Sequence, residues 1–291
     1  VAPCAPYASF MVGAAPTIPG VGMDYSKALP LFASGKSAAD IAAELVRTGV
    51  RGFKEHGRKD GAYTAFDLSK TGSFLTAFAS FSQKLAETIP SEWANITRAI
   101  FYAKNYGGRE DFLRDDGALS SIDLGDFLAR LKKTMANPPM KEIAGLEKAI
   151  AGMIITTEKG PALTFSNGLS IYAPLRENNM RSDYSSLDFH GATGWASTLA
   201  ALYRKQKEDG MTPPKVLAIQ FGTPKLRPGV TRPTGGKDYD LDPLTEVTPL
   251  SANLPKSSYV KLTIEGRAIL WGYAGFAWSD APGGEYTMVS D

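Results

Sequence analysis

Tyr7–Tyr25, YASFMVGAAPTIPGVGMDY, decides how the rest of the chain is read. It opens as an uncharged apolar run, Tyr7 to Val12, with the character of a buried strand. It then enters a loop holding Gly13, Gly20, Gly22, Pro16 and Pro19, the residues that punctuate regular structure. Asp24 is its one side chain charged near neutral pH, and a short helix can follow from Asp24 to Phe32. A strand that passes through such a loop into helix is the start of an α/β arrangement. The loop itself is either a tight connection or the floor of a pocket stripped of polar groups.

Working outward, Ser37 to His56 reads as a helix. Ser37 caps it with Asp40 three residues on, and Ile41, Ala42, Leu45, Val46, Val50 and Phe53 make one stripe. Gly57 ends it, and His56 suits the negative end of the helix dipole. GAYTAFDLSK (61–70) predicts a short strand feeding a helix whose Phe74, Phe78, Phe81 and Leu85 stop before Pro90. Another helix is expected over Ser91 to Lys104, then a polar loop to Ser121. A helix capped by Asp123 or Ser121 follows, then one over Lys141 to Met153. LTFSNGLSIYAP (163–174) predicts two strands around a turn at Asn167-Gly168. Ala196 to Lys207 is helical, and KVLAIQF (215–221) is a strand. Residues 223–256 are rich in Pro, Gly and Thr and read as a linker or long loop. The tail, 257–291, alternates like β structure with a turn at Glu265-Gly266. The expectation is an α/β domain over 1–222 and a small β-rich extension over 257–291.

The 291 residues include 32 basic and 30 acidic ones, a net charge of +2, with no basic block. That pattern gives no reason to expect a nucleic-acid partner. No apolar run has the length of a membrane span. One cysteine, Cys4, and two histidines, His56 and His190, exclude a disulfide framework and a multi-cysteine metal site. No signal peptide is visible, and a start at Val1 is what a processed or truncated chain would show.

The pieces YASFMVGAAPTIPGVGMDY, YTAFDLSK, SSIDLGDFLARL, NGLSIYAPL and YSSLDFHGATGW, in this order, resemble the clostripain family of cysteine peptidases over about residues 6 to 205. The resemblance implies a caspase-like fold, a mostly parallel sheet with helices on both faces, and a His–Cys dyad acting on a peptide or protein substrate. It also implies that the nucleophile falls before residue 1, so that this chain is a C-terminal portion whose partner is an upstream fragment carrying His and Cys. By the same resemblance the loop after the first strand lines the substrate pocket. There the family carries acidic residues that hold a basic substrate side chain, whereas here Val21 stands in the loop between the two glycines, Ala15 and Pro16 replace the nearby acidic pair, Ala14 is a further pocket residue, and Asp24 lies three residues along. A desolvated cation facing valine would lack its charge-assisted partner, so specificity for basic residues is expected to be absent.

Other readings stay open beside this one. Cys4 and His190 could be brought together as a catalytic pair, though a lone cysteine usually serves as inert packing. Asp123 and Asp126 could act as an acid pair, though the helix dipole alone favours carboxylates there. DYDLDPLTE (238–246) could hold calcium but lacks EF-hand spacing, so no cofactor is expected. Trp271, Tyr273, Phe276 and Trp278 could stack on a sugar or peptide, or fill a small β core. The functional alternatives are an inactive binding or scaffold protein of the same fold and a cell-surface module using the aromatic tail. A secreted or cell-envelope location fits each of them.

Overall fold

The computed structural model describes residues 1–106 and 120–209, and beyond them the backbone of four strands. Val1–Met211 forms one compact unit and Thr212–Asp291 another.

The first unit is mixed α/β and rich in helix. Strand β1 (Phe10–Gly13) is followed by α1 (Tyr25–Ala28), a 3-10 turn (Leu29–Ala33) and α2 (Ala38–Glu55). Ser37 accepts the Asp40 N–H at 3.2 Å and so caps α2 as its sequence predicts. Gly57, at φ 72°, ends it in a conformation that suits glycine. Next comes β2 (Ala62–Asp67), and β4 (Ile154–Lys159) joins it from far along the chain. The sheet order is β1-β2-β4. Tyr63 and Ala65, with half-buried Phe10, Val12 and Ile155, face the Ala42, Val46, Val50 and Phe53 stripe of α2. That is the alternation expected when one sheet face meets one helix stripe.

A mostly parallel sheet was expected, but every pairing among the described strands is antiparallel. Gly13, the end of β1, pairs with Thr64, near the start of β2. The chain must therefore return to the end it left. The loop, α1 and the 3-10 turn carry it away along the sheet, and α2 brings it back. A single crossover helix would have delivered a parallel neighbour instead.

Helix α3 (Thr71–Tyr102) corrects a second expectation, because it runs unbroken through Pro90. A proline inside a helix costs about 3 kcal/mol relative to alanine. Yet Phe74, Phe78, Phe81, Leu85, Ile89, Trp93, Ile96 and Ile100 form one buried stripe spanning the proline. Each such side chain contributes roughly 1.5–3 kcal/mol when buried, so the tertiary term wins. Around α3 pack α4 (Leu124–Thr134), α5 (Met140–Met153), α6 (Asp188–Thr193) and α7 (Trp195–Asp209). At the centre the Trp195 ring meets Phe78, Phe81 and Phe127, with centroids 5.5, 6.4 and 6.2 Å away.

The expected turn at Asn167-Gly168 does not join two strands. β5 (Ser170–Tyr172) pairs instead with β3 (Ser121–Asp123), Ile171 opposite Ile122, while Pro161–Leu163 is a 3-10 turn. Gly168, at φ 92°, fits against Thr64 and Thr157. A Cβ there would lie 2.6 Å from either hydroxyl.

In the second unit β6 (Lys215–Gly222) pairs antiparallel with β7 (Tyr259–Glu265), and β8 (Phe276–Trp278) with β9 (Thr287–Val289). The 223–256 segment, the 238–246 acidic stretch, the Glu265-Gly266 turn as a whole, Trp271 and Tyr273 lie outside the described residues. Among the described residues no helix is long and apolar enough to cross a membrane.

Candidate substrate-pocket region

The loop of interest leaves the end of β1, which lies at one edge of its sheet among the described strands. Pro16 and Pro19 are buried and pin it. Gly22 N–H donates to the Pro19 carbonyl at 2.9 Å, closing a turn, and Gly22 itself has φ 64°. Val21 sits at the tip of this turn, 48% exposed, and Ile18 is also exposed. Ala14 and Ala15 are half-buried, and Ala14 packs against the α2 core cluster.

Asp24 is taken up by local structure. Its Oδ1 accepts the Ser26 N–H at 3.0 Å and the Ser26 hydroxyl at 2.5 Å, capping α1. Its Oδ2 lies 3.3 Å from Lys27 Nζ, which itself reaches Glu55 at 2.6 Å. The Ser26 hydroxyl first, and then Lys27, hold the Asp24 carboxyl below its usual range. Four predicted residues thus resolve into an exposed valine, two half-buried alanines of which Ala14 packs on the core, and a carboxylate committed to a helix N-terminus.

No hydrogen bond joins Cys4 to His190 among the described residues. The 3-10 turn Ala2–Cys4 does pack beside α6, which carries His190. But Cys4 is exposed, and His190 Nδ1 is buried without a hydrogen-bond partner. His56 takes the C-cap position of α2, as its place in the sequence suggested. Among the described residues no group of three His, Cys, Asp or Glu could hold a metal ion.

Asp123 and Asp126 do act at a helix start, and Asp123 does more. It is fully buried. Its carboxylate accepts the Asp126 N–H at 2.8 Å, the Tyr106 hydroxyl at 2.7 Å, and the Asn167 N–H and amide at 2.7 and 2.8 Å. Tyr106 also meets Ser166 Oγ at 2.9 Å, and Lys159 donates to the Ser166 carbonyl. Burial and the Asp123 charge push the Tyr106 phenol well above its usual value. Gly125 leaves room for Asn167, whose Cγ would lie 2.8 Å from a Cβ. The sequence signalled the cap, but nothing in it paired Asp123 with residue 167. Glu92, buried in α3, is a second such carboxylate. It accepts the N–H groups of Ala136 and Asn137, both at 3.1 Å, where α4 hands over to α5. The end of β5 and the residues after it are held instead by side-chain donors to backbone carbonyls. Trp195 Nε1 donates to the Tyr172 carbonyl and Tyr203 Oη to that of Pro174, each at 2.7 Å.

No curated protein matches the chain. Solved structures similar to it include a B. fragilis cysteine protease, at 14% identity and TM-score 0.48, covering 68% of this chain and 82% of that one. Another is a secreted C11 cysteine protease from Bacteroides thetaiotaomicron, in complex with an irreversible peptide inhibitor. It shows 14% identity and TM-score 0.49, covering 68% of this chain and 55% of that one. The model of the clostripain family matches residues 2–201, more than half of the sequence, and the chain belongs to that family.

Proposed function

We propose that this chain is part of a clostripain-like cysteine endopeptidase, secreted or held in the cell envelope. It supplies pocket walls and sheet to a companion segment that carries the His–Cys dyad. The observation that carries the reading is the family match over residues 2–201, combined with an uncharged loop at the end of an unprotected edge strand. Among the described residues no strand pairs with the outer edge of β1, and Phe10–Gly13 has no charged or proline residue to discourage pairing. A strand of the companion would add there, extending the sheet toward the caspase-like arrangement.

In that assembly the companion's thiolate attacks the scissile carbonyl carbon to give a tetrahedral oxyanion. Collapse forms the thioester as the imidazolium gives its proton to the leaving amine. Water, deprotonated by the imidazole, then hydrolyses the thioester and frees the thiolate. This chain's contribution is selection. Val21 and Ile18 present an apolar surface, and Asp24 is already paired, so an uncharged substrate side chain fits better than arginine or lysine. No metal or cofactor is needed by this chemistry.

The commitment of Asp24 to its cap also favours a second reading, an inactive scaffold of the same fold. The two readings separate in one assay. The isolated chain, and the chain with its companion, are given fluorogenic peptides carrying Leu, Ala or Arg before the scissile bond. The peptidase reading expects no turnover from the isolated chain, and turnover of the uncharged peptides once the companion is present. Turnover by the isolated chain that Cys4→Ala abolishes would overturn it in favour of the Cys4–His190 pair. Persistent inactivity with a companion bound would favour the scaffold.

A further inference from the structure

Asn167 is the chain's only asparagine followed by glycine; the others precede Ile, Tyr, Pro, Asn, Met or Leu. That pairing has a chemistry of its own. A backbone N–H with no Cβ beside it is unshielded, and it can attack the side-chain carbonyl carbon of the residue before it. A bond forms from Gly168 N to Asn167 Cγ and the Cγ–Nδ2 bond breaks. The amide nitrogen leaves as ammonia, taking the Gly168 proton with it. The five-membered succinimide then takes up water and opens to aspartate or isoaspartate. Water is the one co-reactant, and Asn167 is exposed to it.

The knot around Asp123 clamps both reacting atoms. The Asn167 amide donates to Asp123 Oδ1 at 2.8 Å and to the Phe165 carbonyl at 3.0 Å, while the Asn167 N–H holds Asp123 Oδ2 at 2.7 Å. Asn167 Cγ lies so close to Gly125 that a Cβ there would stand 2.8 Å away, so the first turn of α4 closes one side of the side chain. Gly168 is buried, with Thr64 and Thr157 packed against it. Attack would also place an oxyanion beside the fully buried Asp123 carboxylate, where like charges repel strongly.

We propose that Asn167-Gly168 is a self-modification site gated by folding. While the knot is closed the pair is inert. Once it opens the pair cyclises, and the product bars the return. Aspartate at 167 sets a second carboxylate against Asp123, and Lys159, the cation of the knot, is already engaged by the Thr164 and Ser166 carbonyls. Isoaspartate adds a backbone carbon just before β5 and shifts the residues that pair with β3. Either product withdraws a long-unfolded chain for good, so that unfolding becomes one-way.

Peptide mapping by mass spectrometry tests this on the 291-residue chain, held in mildly alkaline buffer with or without urea above the unfolding midpoint. In urea Asn167 should convert ahead of every other asparagine. Without urea its conversion should be slower by about a hundredfold or more, because only molecules with the knot open react. Gly168→Ala should slow conversion in urea, where its effect on the fold is irrelevant. On dilution from urea, the fraction that regains native circular dichroism should fall in step with conversion. Asn167→Asp should have a lower urea midpoint than Asn167→Ala, since one adds a charge where the other only removes a donor. If neither variant folds, mapping and refolding yield still decide. Equal conversion with and without urea overturns the gate, and conversion in urea that Gly168→Ala leaves untouched overturns the cyclisation. Converted chain that refolds to the original midpoint overturns the one-way step, as does Asn167→Asp matching the stability of Asn167→Ala.

Discussion

Replacing Asp123 tests the buried knot. The carboxylate is fully buried and accepts four hydrogen bonds, one of them the cap of α4. Loss of an N-cap costs about 1 kcal/mol. Each hydrogen bond to a charged group contributes about 1.5–3 kcal/mol, and buried donors left without a partner add their desolvation cost. These terms overlap, because Tyr106 keeps Ser166 and the Asn167 amide keeps the Phe165 carbonyl at 3.0 Å. The expected cost of Asp123→Ala is therefore about 4 kcal/mol, a large share of the 5–15 kcal/mol that holds a domain together. Urea unfolding followed by far-ultraviolet circular dichroism reads it as a lower midpoint at unchanged slope.

Asn167→Ala alone should cost about 2 kcal/mol, since it removes one of the two Asn167 donors to Asp123. In the Asp123→Ala background it should cost much less, giving a coupling energy above 1 kcal/mol. Costs that add within about 0.5 kcal/mol would show that Asp123 and Asn167 are stabilised independently. Asp123→Ala costing under 1 kcal/mol would refute the knot altogether.

Pro90→Ala should stabilise the first unit by at least about 1 kcal/mol in urea, because alanine restores a backbone donor inside α3. No gain would mean that the helix needs its proline. Trp195→Phe should cost about 2–3 kcal/mol and Trp195→Ala about 4, since phenylalanine retains ring contacts but abandons the Tyr172 carbonyl; thermal midpoints rank them, and equal losses would contradict this packing. Burial raises the Tyr106, Tyr184 and Tyr203 phenols above their ordinary 10.0. Above pH 10 the unfolded chain then loses protons that the folded chain keeps, so stability falls as pH rises. Tyr106→Phe should soften that alkaline fall, and an unchanged profile would remove Tyr106 from its cause.

What the sequence disclosed depended on range. Ser37, Gly57 and Asp123 act within a turn or two of themselves, so their capping roles were legible from neighbours alone. The stripe from Phe74 onward was equally plain, but Pro90 was weighed as a local breaker. Local propensity could not show that Ile89, Trp93 and Ile96 would continue the same buried face. Strand direction was out of reach for a similar reason. Whether β1 and β2 run parallel depends on how many times the chain crosses the sheet between them, and α1 with its 3-10 turn is too short to announce a crossing. Pocket composition was visible, and the capture of Asp24 by Ser26 two residues along is as local as the other caps; what lay out of reach was the ion pair that ties Lys27 to Glu55 of α2.

Three of the pieces that carried the family resemblance share a physical role, and it is architectural. SSIDLGD supplies the buried carboxylate, and NGLSIYAPL supplies Asn167, Gly168 and the Tyr172 and Pro174 carbonyls. GATGW supplies the left-handed Gly194 and the Trp195 that donates to Tyr172. Each joins segments far apart in the chain through groups that cannot be exchanged without leaving a buried donor or acceptor empty. Such positions tolerate little substitution whether or not a protein cleaves anything. A signature built from them identifies the scaffold securely and says nothing of activity. It follows that a variant of Asn167 or Trp195 in an active assembly should lower the melting temperature before it alters turnover per folded molecule. Loss of turnover per folded molecule from Asn167→Ala, at unchanged stability, would move the knot from architecture into catalysis.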